Sequence, residues 1–192
     1  MVLRQTSEQI DRAILDAAAE TFAIHGYDRT SVQLLADAVG YSKTGLLHRF
    51  SSKQVIYETA VEAARRSVDD LLGTVAAGDP VGVLRAVAES ALARPGLTSL
   101  IIASIKLASD QPARDELYAQ VDRVHAALGL TGADDEHRMR GMLALKLIVD
   151  AVLAHCHKAI QIPPSRLVPL VVELAAGVLG APALTTRSEE WS

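Results

Sequence analysis

Apolar residues recur every three or four positions along most of this chain, and the runs are separated by residues that stop or start helices. Ile10, Ile14, Ala17, Ala18, Thr21 and Phe22 mark the first run. With Thr6 and Gln9 at capping-box spacing and Gly26 as a stop, the pattern predicts a helix from Ser7 to His25. Its acidic members Glu8, Asp11, Asp16 and Glu20 are expected to face solvent, Asp11 as a solvated-face neighbour of the apolar stripe. Thr30 and Gln33 repeat the capping spacing, so a second, short helix is expected near Ser31, carrying Val32, Leu35, Ala36 and Val39. Gly40 ends it, and Ser42 is placed to cap a third helix, Lys43 to Phe50, anchored by Leu46 and Phe50. Two helices of about eight residues around a glycine turn have helix-turn-helix proportions. A long helix follows from Ser52 to about Leu72, which at 1.5 Å per residue spans about 30 Å.

Beyond Gly73 the breakers are Gly78-Asp79-Pro80, Arg94-Pro95-Gly96, Asp110-Gln111-Pro112, Gly129 to Gly132, and Ile162-Pro163-Pro164. Between them five helices are expected near 80-93, 97-109, 113-128, 134-158 and 164-180. Period-two alternation bounded by hairpin turns is absent, so the expected class is all-α, with a three-helix head, a larger helical bundle and about nine helices in total. The expected division is 1-52 for the head, 53-182 for the body and 183-192 for a C-terminal tail.

Composition adds limits. The 192 residues are 49% hydrophobic and 22% charged, enough apolar material for a sizeable core and without an uninterrupted run of eighteen apolar residues. Met1 to Glu8 lacks the apolar segment of a secretory signal, and Cys156 is the only cysteine, so a cytoplasmic protein is expected. The net charge is −4, yet between Arg29 and Lys53 four cations, Arg29, Lys43, Arg49 and Lys53, face Asp37 alone, a local charge of +3. Binding a phosphate backbone needs cations at the contact surface and not across the whole molecule.

On Thr30, Val32, Leu35, Ala36, Val39-Gly40-Tyr41-Ser42, Leu46, Phe50 and Lys53, the segment resembles the N-terminal DNA-binding region of the tetracycline-repressor (TetR) family. It departs from the family pattern at three places. Leu47 stands where tyrosine is usual, Arg49 where histidine is usual, and the common Gly-Thr or Gly-Ser pair is reversed as Thr44-Gly45. The missing tyrosine hydroxyl removes one phosphate contact and Arg49 offers another. The resemblance implies double-stranded DNA as partner, with Thr30, Ser31, Gln33, Ser42, Lys43, Thr44, Gly45, Leu47, His48, Arg49 and Lys53 as the DNA-facing set. Lys43, Thr44 and His48 are the expected base readers, and Thr30, Ser42, Arg49 and Lys53 the expected phosphate contacts.

Two later segments, Met142 to Ala154 and Leu167 to Leu179, are apolar almost all round, so they form a central core pair or are covered by a partner. The resemblance implies the second, a four-helix contact between two copies, for which Leu143, Leu147, Leu170, Val171 and Leu174 are the expected residues. Lys146 and Asp150, four apart, make a buried pair or a pair at the rim of that contact. The resemblance also implies a small-molecule effector pocket in the body. With aromatics at 4%, aliphatic residues must line most of such a pocket, and Thr98, Ser104, Tyr118 and His125 are the expected polar contributors.

His155-Cys156-His157 does not read as a metal site, because residues two apart diverge by about 200° around a helix. No Gly-rich phosphate loop, His-Glu-x-x-His or Gly-x-Ser-x-Gly occurs, so no catalytic residues, metal or cofactor are expected. The expected function is a ligand-responsive transcriptional regulator, most simply a repressor that binds a palindromic operator as a homodimer and is released by its effector. Its rivals are a helical enzyme for a small apolar substrate and a dimeric interaction protein without DNA binding.

Overall fold

The structure, a computed structural model, describes residues 6–106 and 111–180, and side chains except those of 104–106 and 111–118. The described chain is all helical: α1 (Ser7–His25), α2 (Val32–Val39), α3 (Lys43–Arg49), α4 (Lys53–Gly73), α5 (Pro80–Ala93), α6 (Pro95–Lys106), α7 (Gln111–Ala127), α8 (Asp135–Cys156) and α9 (Pro164–Leu179). The expected tail, 183-192, lies outside the described residues.

Local chemistry accounts for most of the helix starts. Thr6 and Gln9 form a reciprocal capping box, Ser42 accepts from the Gly45 N–H, Ser52 from Val55 and Asp79 from Gly82 ahead of Pro80. Each such cap stabilises its helix by about 1 kcal/mol. The expected box at Thr30 and Gln33 does not form. Ser31 is the cap of α2, accepting from Leu34 N–H, while the Gln33 amide donates to Asp37 at 2.8 Å and the buried Thr30 hydroxyl donates to the Gly26 carbonyl at 2.7 Å.

Two apolar cores result. The first gathers Phe22, Leu35, Ala36, Leu46 and Phe50 with Ile56 and Ala60 of α4 and Leu97 and Leu100 of α6. The second joins Val83 and Leu84 of α5, Ile148 and Val152 of α8, and Leu167, Val171 and Val172 of α9, together with Val68 of α4. Each fully buried large side chain contributes about 1.5–3 kcal/mol. Since α4 enters the first core with its early turns and the second with Val68, it is a rigid element common to both.

α6 begins two residues earlier than its sequence suggests, and the reason is tertiary. The Asp16 carboxylate of α1 accepts from Gly96 N–H at 3.3 Å and Leu97 N–H at 3.1 Å, capping α6 from another helix, and Arg94 lies 3.5 Å away. A Cβ at Gly96 would overlap the Asp16 carbonyl oxygen, so only glycine lets α1 and α6 approach this closely. Gly96→Ala should therefore lower stability by about 1–3 kcal/mol, read as an earlier urea midpoint with an unchanged slope.

Burial pushes the Asp16 carboxyl above its ordinary value of 3.8, outweighing the two amides and Arg94, which pull it down. The folded chain thus holds this proton more tightly than the unfolded chain does. Its share of stability is full below pH 3.8 and declines as pH rises through the folded value. Asp16→Asn should remove that decline. Urea titrations over a pH series would show it as a wild-type-minus-variant difference that shrinks with rising pH; a pH-independent difference would refute it.

Candidate nucleic-acid interface

Gly40 makes the turn of the helix-turn-helix. Its φ of 71° and ψ of 29° are left-handed, which glycine adopts cheaply, and its N–H and that of Tyr41 return to the Ala36 carbonyl at the end of α2. Leu46 and Phe50 are buried in the first core and fix the rotation of α3. At 100° per residue, Lys43, Leu47, Thr44 and His48 then share an outward arc of about 140°. Lys43, Thr44 and His48 are exposed and Leu47 is half-buried. Ser31 and Ser42 are exposed at the helix starts, Gln33 is exposed on α2, and Gly45 is half-buried in the first turn of α3.

Three of the expected phosphate contacts are occupied inside the protein. Thr30 points inward, as described. The Arg49 guanidinium donates to the Asp11 carboxylate, to Ser7 Oγ at 2.7 Å and to the Ser7 carbonyl at 3.2 Å. It ties α3 to the start of α1 instead of standing free, and Asp11, expected as a solvated neighbour, is its partner. Lys53 Nζ donates to the Tyr27 carbonyl at 3.0 Å and lies 4.0 Å from the centre of the Tyr27 ring, which packs with Phe22 and Tyr57. Arg29, counted in the local charge but not among the expected contacts, is exposed and has no ion pair among the described residues. Its place in the loop before α2 was the signal that could have included it.

In the body, Leu143, Leu170 and Leu174 are 51%, 41% and 51% exposed, and Met139 and Met142 join them. Leu147 is half-buried. Val171 corrects the expectation: at 3% exposure it belongs to the second core, because one residue step turns it 100° away from Leu170. The last helices are thus two-faced rather than apolar all round. Lys146 and Asp150 form an exposed ion pair at 2.6 Å beside this face.

Of the expected pocket residues, Thr98 is half-buried on α6 and donates to the Arg94 carbonyl at 3.1 Å. His125 is half-buried on α7, and burial pushes its imidazole below its ordinary value. The side chains of Ser104 and Tyr118 lie outside the described residues. At the end of α8, His157 Nε2 meets Glu20 Oε1 of α1 at 2.7 Å, and burial, then the Asp16 and Glu20 carboxylates, raise the Cys156 thiol. Among the described residues no group of three or more His, Cys, Asp or Glu is placed to hold a metal, and no helix is long and apolar enough to cross a membrane.

A three-helix head with a glycine-turned helix-turn-helix, set on a helical body, is the architecture these elements build. Residues 14–60 match the family model for bacterial regulatory proteins of the tetR family. The chain is 31% identical over 74 residues to the HTH-type transcriptional repressor Rv1474c of Mycobacterium tuberculosis, 38% of each chain. It is 44% identical over 46 residues to the HTH-type transcriptional regulator RutR of Escherichia coli, 24% of this chain and 22% of the relative. Both matches span well under two thirds of the relatives' lengths. Its fold matches SCO3833, a TetR transcriptional regulator family member from Streptomyces coelicolor, at a TM-score of 0.62 and 22% identity, over 86% of this chain and 90% of that one. A TetR-like transcriptional regulator from Rhodococcus sp. RHA1 matches at a TM-score of 0.58 and 16% identity, over 92% and 100%. Residues 14–60 thus carry the tetR-family sequence pattern, and the chain as a whole shares the fold of these solved regulators.

Proposed function

We propose that the protein is a cytoplasmic transcriptional repressor and not an enzyme, which binds a palindromic operator as a homodimer and leaves it when a small molecule binds the body. The observation that carries the reading is the outward arc of α3: Lys43, Thr44 and His48 are exposed while Leu46 and Phe50 are buried, so the helix offers donors and a cation to a major groove wide enough to admit it. In this reading residues 1-52 read DNA and 53-182 bind the effector and the partner copy. Two copies joined along α8 and α9 would present two α3 helices, and a two-fold protein asks for two half-sites related by the same symmetry. Because α4 is shared by both cores, a small tilt in the body becomes a change in head separation, with a coupling typically of about 1–3 kcal/mol. The named relatives, a transcriptional repressor and a transcriptional regulator, support the same class.

The test is a gel shift on DNA flanking the protein's own gene. A retarded band that competes away with the same sequence but not with shuffled DNA is the expected result. Retardation that is absent, or equal on shuffled DNA, would remove the reading.

A further inference from the structure

The outward arc of α3 holds one side chain that can neither donate nor accept a hydrogen bond. At 100° per residue, Lys43, Leu47, Thr44 and His48 follow one another around the axis at about 0°, 40°, 100° and 140°, so Leu47 stands inside the arc and not at its edge. It lies four residues after Lys43 and three after Thr44, the spacings at which side chains on a helix are neighbours. Lys43, Thr44 and His48 are exposed around it, and Leu47 itself is half-buried.

The fold does not use this leucine as an anchor. Leu46 and Phe50 of the same segment are buried in the first core, and Val32, Val39 and Tyr41 pack against it, whereas neither core includes Leu47. A single exposed leucine is ordinary on a protein surface. This one, however, sits among the three polar side chains that the proposed function places against base edges, and there its chemistry restricts what it can touch. Covering a phosphate oxygen or a base donor or acceptor with a leucine would strip that group of water and return no hydrogen bond. The group on the major-groove edges that gains from an apolar neighbour is the C5 methyl of thymine.

We propose that Leu47 is a specificity-determining residue that reads thymine, packing its side chain on the C5 methyl of one thymine in each half-site, beside the pairs read by Lys43 and His48. The inference rests on the function proposed above and adds a second mode of readout to it. Lys43 and His48 discriminate by hydrogen bonds, and Leu47 by apolar contact, so the two modes answer to different chemical changes in the DNA.

The test removes that methyl from the DNA. An operator is selected with the full chain from a pool of random duplexes, and each of its thymines is replaced singly by deoxyuridine, which pairs as thymine does and lacks only the methyl. At one thymine per half-site the wild type should lose about fourfold in affinity, the worth of one buried methyl-sized group. Alanine keeps the helix, so Leu47→Ala should still discriminate at the pairs read by Lys43 and His48. It should bind the thymine operator more weakly than the wild type does, and bind the thymine and deoxyuridine forms within about twofold of each other, as a double-mutant cycle requires of two groups in contact. A leucine that only props α3 would weaken both forms alike and leave the fourfold difference in place, which overturns the inference. So does a Leu47→Ala protein that loses discrimination at every pair, or a wild type indifferent to deoxyuridine at every thymine of a sequence-specific operator. A pool that yields no preferred sequence removes the function proposed above, and this inference with it.

Discussion

Leu174→Glu should convert the protein from dimer to monomer at micromolar concentration and weaken operator binding by about 10²–10⁴-fold, the advantage that linking two binding modules confers. Leu174 is half exposed in the single chain, as are Leu143, Met139 and Met142 of α8, with Leu170 also exposed, and exposed large apolar residues on two packed helices are of the kind that marks an interface. A carboxylate placed there costs little in a monomer, where it meets water, and much in a dimer, where it would be desolvated without a partner. The same change at Val171 should behave differently. That side chain packs in the second core, so Val171→Glu should lose helical circular dichroism, whereas Leu174→Glu should retain it. Light scattering and circular dichroism on the two variants separate interface from core. A wild-type monomer at micromolar concentration would end both the dimer and the palindromic operator.

That contrast between neighbours shows where sequence reading stopped. Periodicity located the nine helices of the described residues, and cap chemistry at Thr6, Ser42, Ser52 and Asp79 located four of their starts, because those interactions span three or four residues. In a segment as apolar as Leu167 to Leu179, however, hydrophobicity cannot say which face meets the core, and Leu170 and Val171 read alike. Polar residues with distant partners were misjudged for a related reason. Arg49 meets Asp11, Asp16 caps α6 and Glu20 meets His157, pairings 38 to 137 residues apart that leave no local pattern. The +3 charge between Arg29 and Lys53 was read correctly as composition, but part of it serves to hold the head together.

That consequence is testable at the DNA. Lys43→Ala and His48→Ala should relax discrimination at one or two operator positions, by about 1–3 kcal/mol for each lost base contact, because both side chains stand free on the outward arc of α3. Lys53 is half-buried, with Nζ on the Tyr27 carbonyl, but unlike Arg49 it has no carboxylate partner among the described residues. Lys53→Ala should lower affinity for all sequences alike and reduce the salt slope by about 1 per protomer, since one fewer counterion is released. Arg49→Ala separates a phosphate contact from an internal tie. With its guanidinium on Asp11 and Ser7, it should leave the salt slope unchanged and lower the denaturation midpoint, the loss in affinity following only from a less fixed α3. Binding titrations of the four variants against single-base operator changes at two salt concentrations, with urea midpoints for each, decide the matter. A uniform loss for Lys43→Ala and His48→Ala would show that they touch phosphate and not bases, and a reduced slope for Arg49→Ala with an unchanged midpoint would show that its guanidinium leaves Asp11 to reach the DNA.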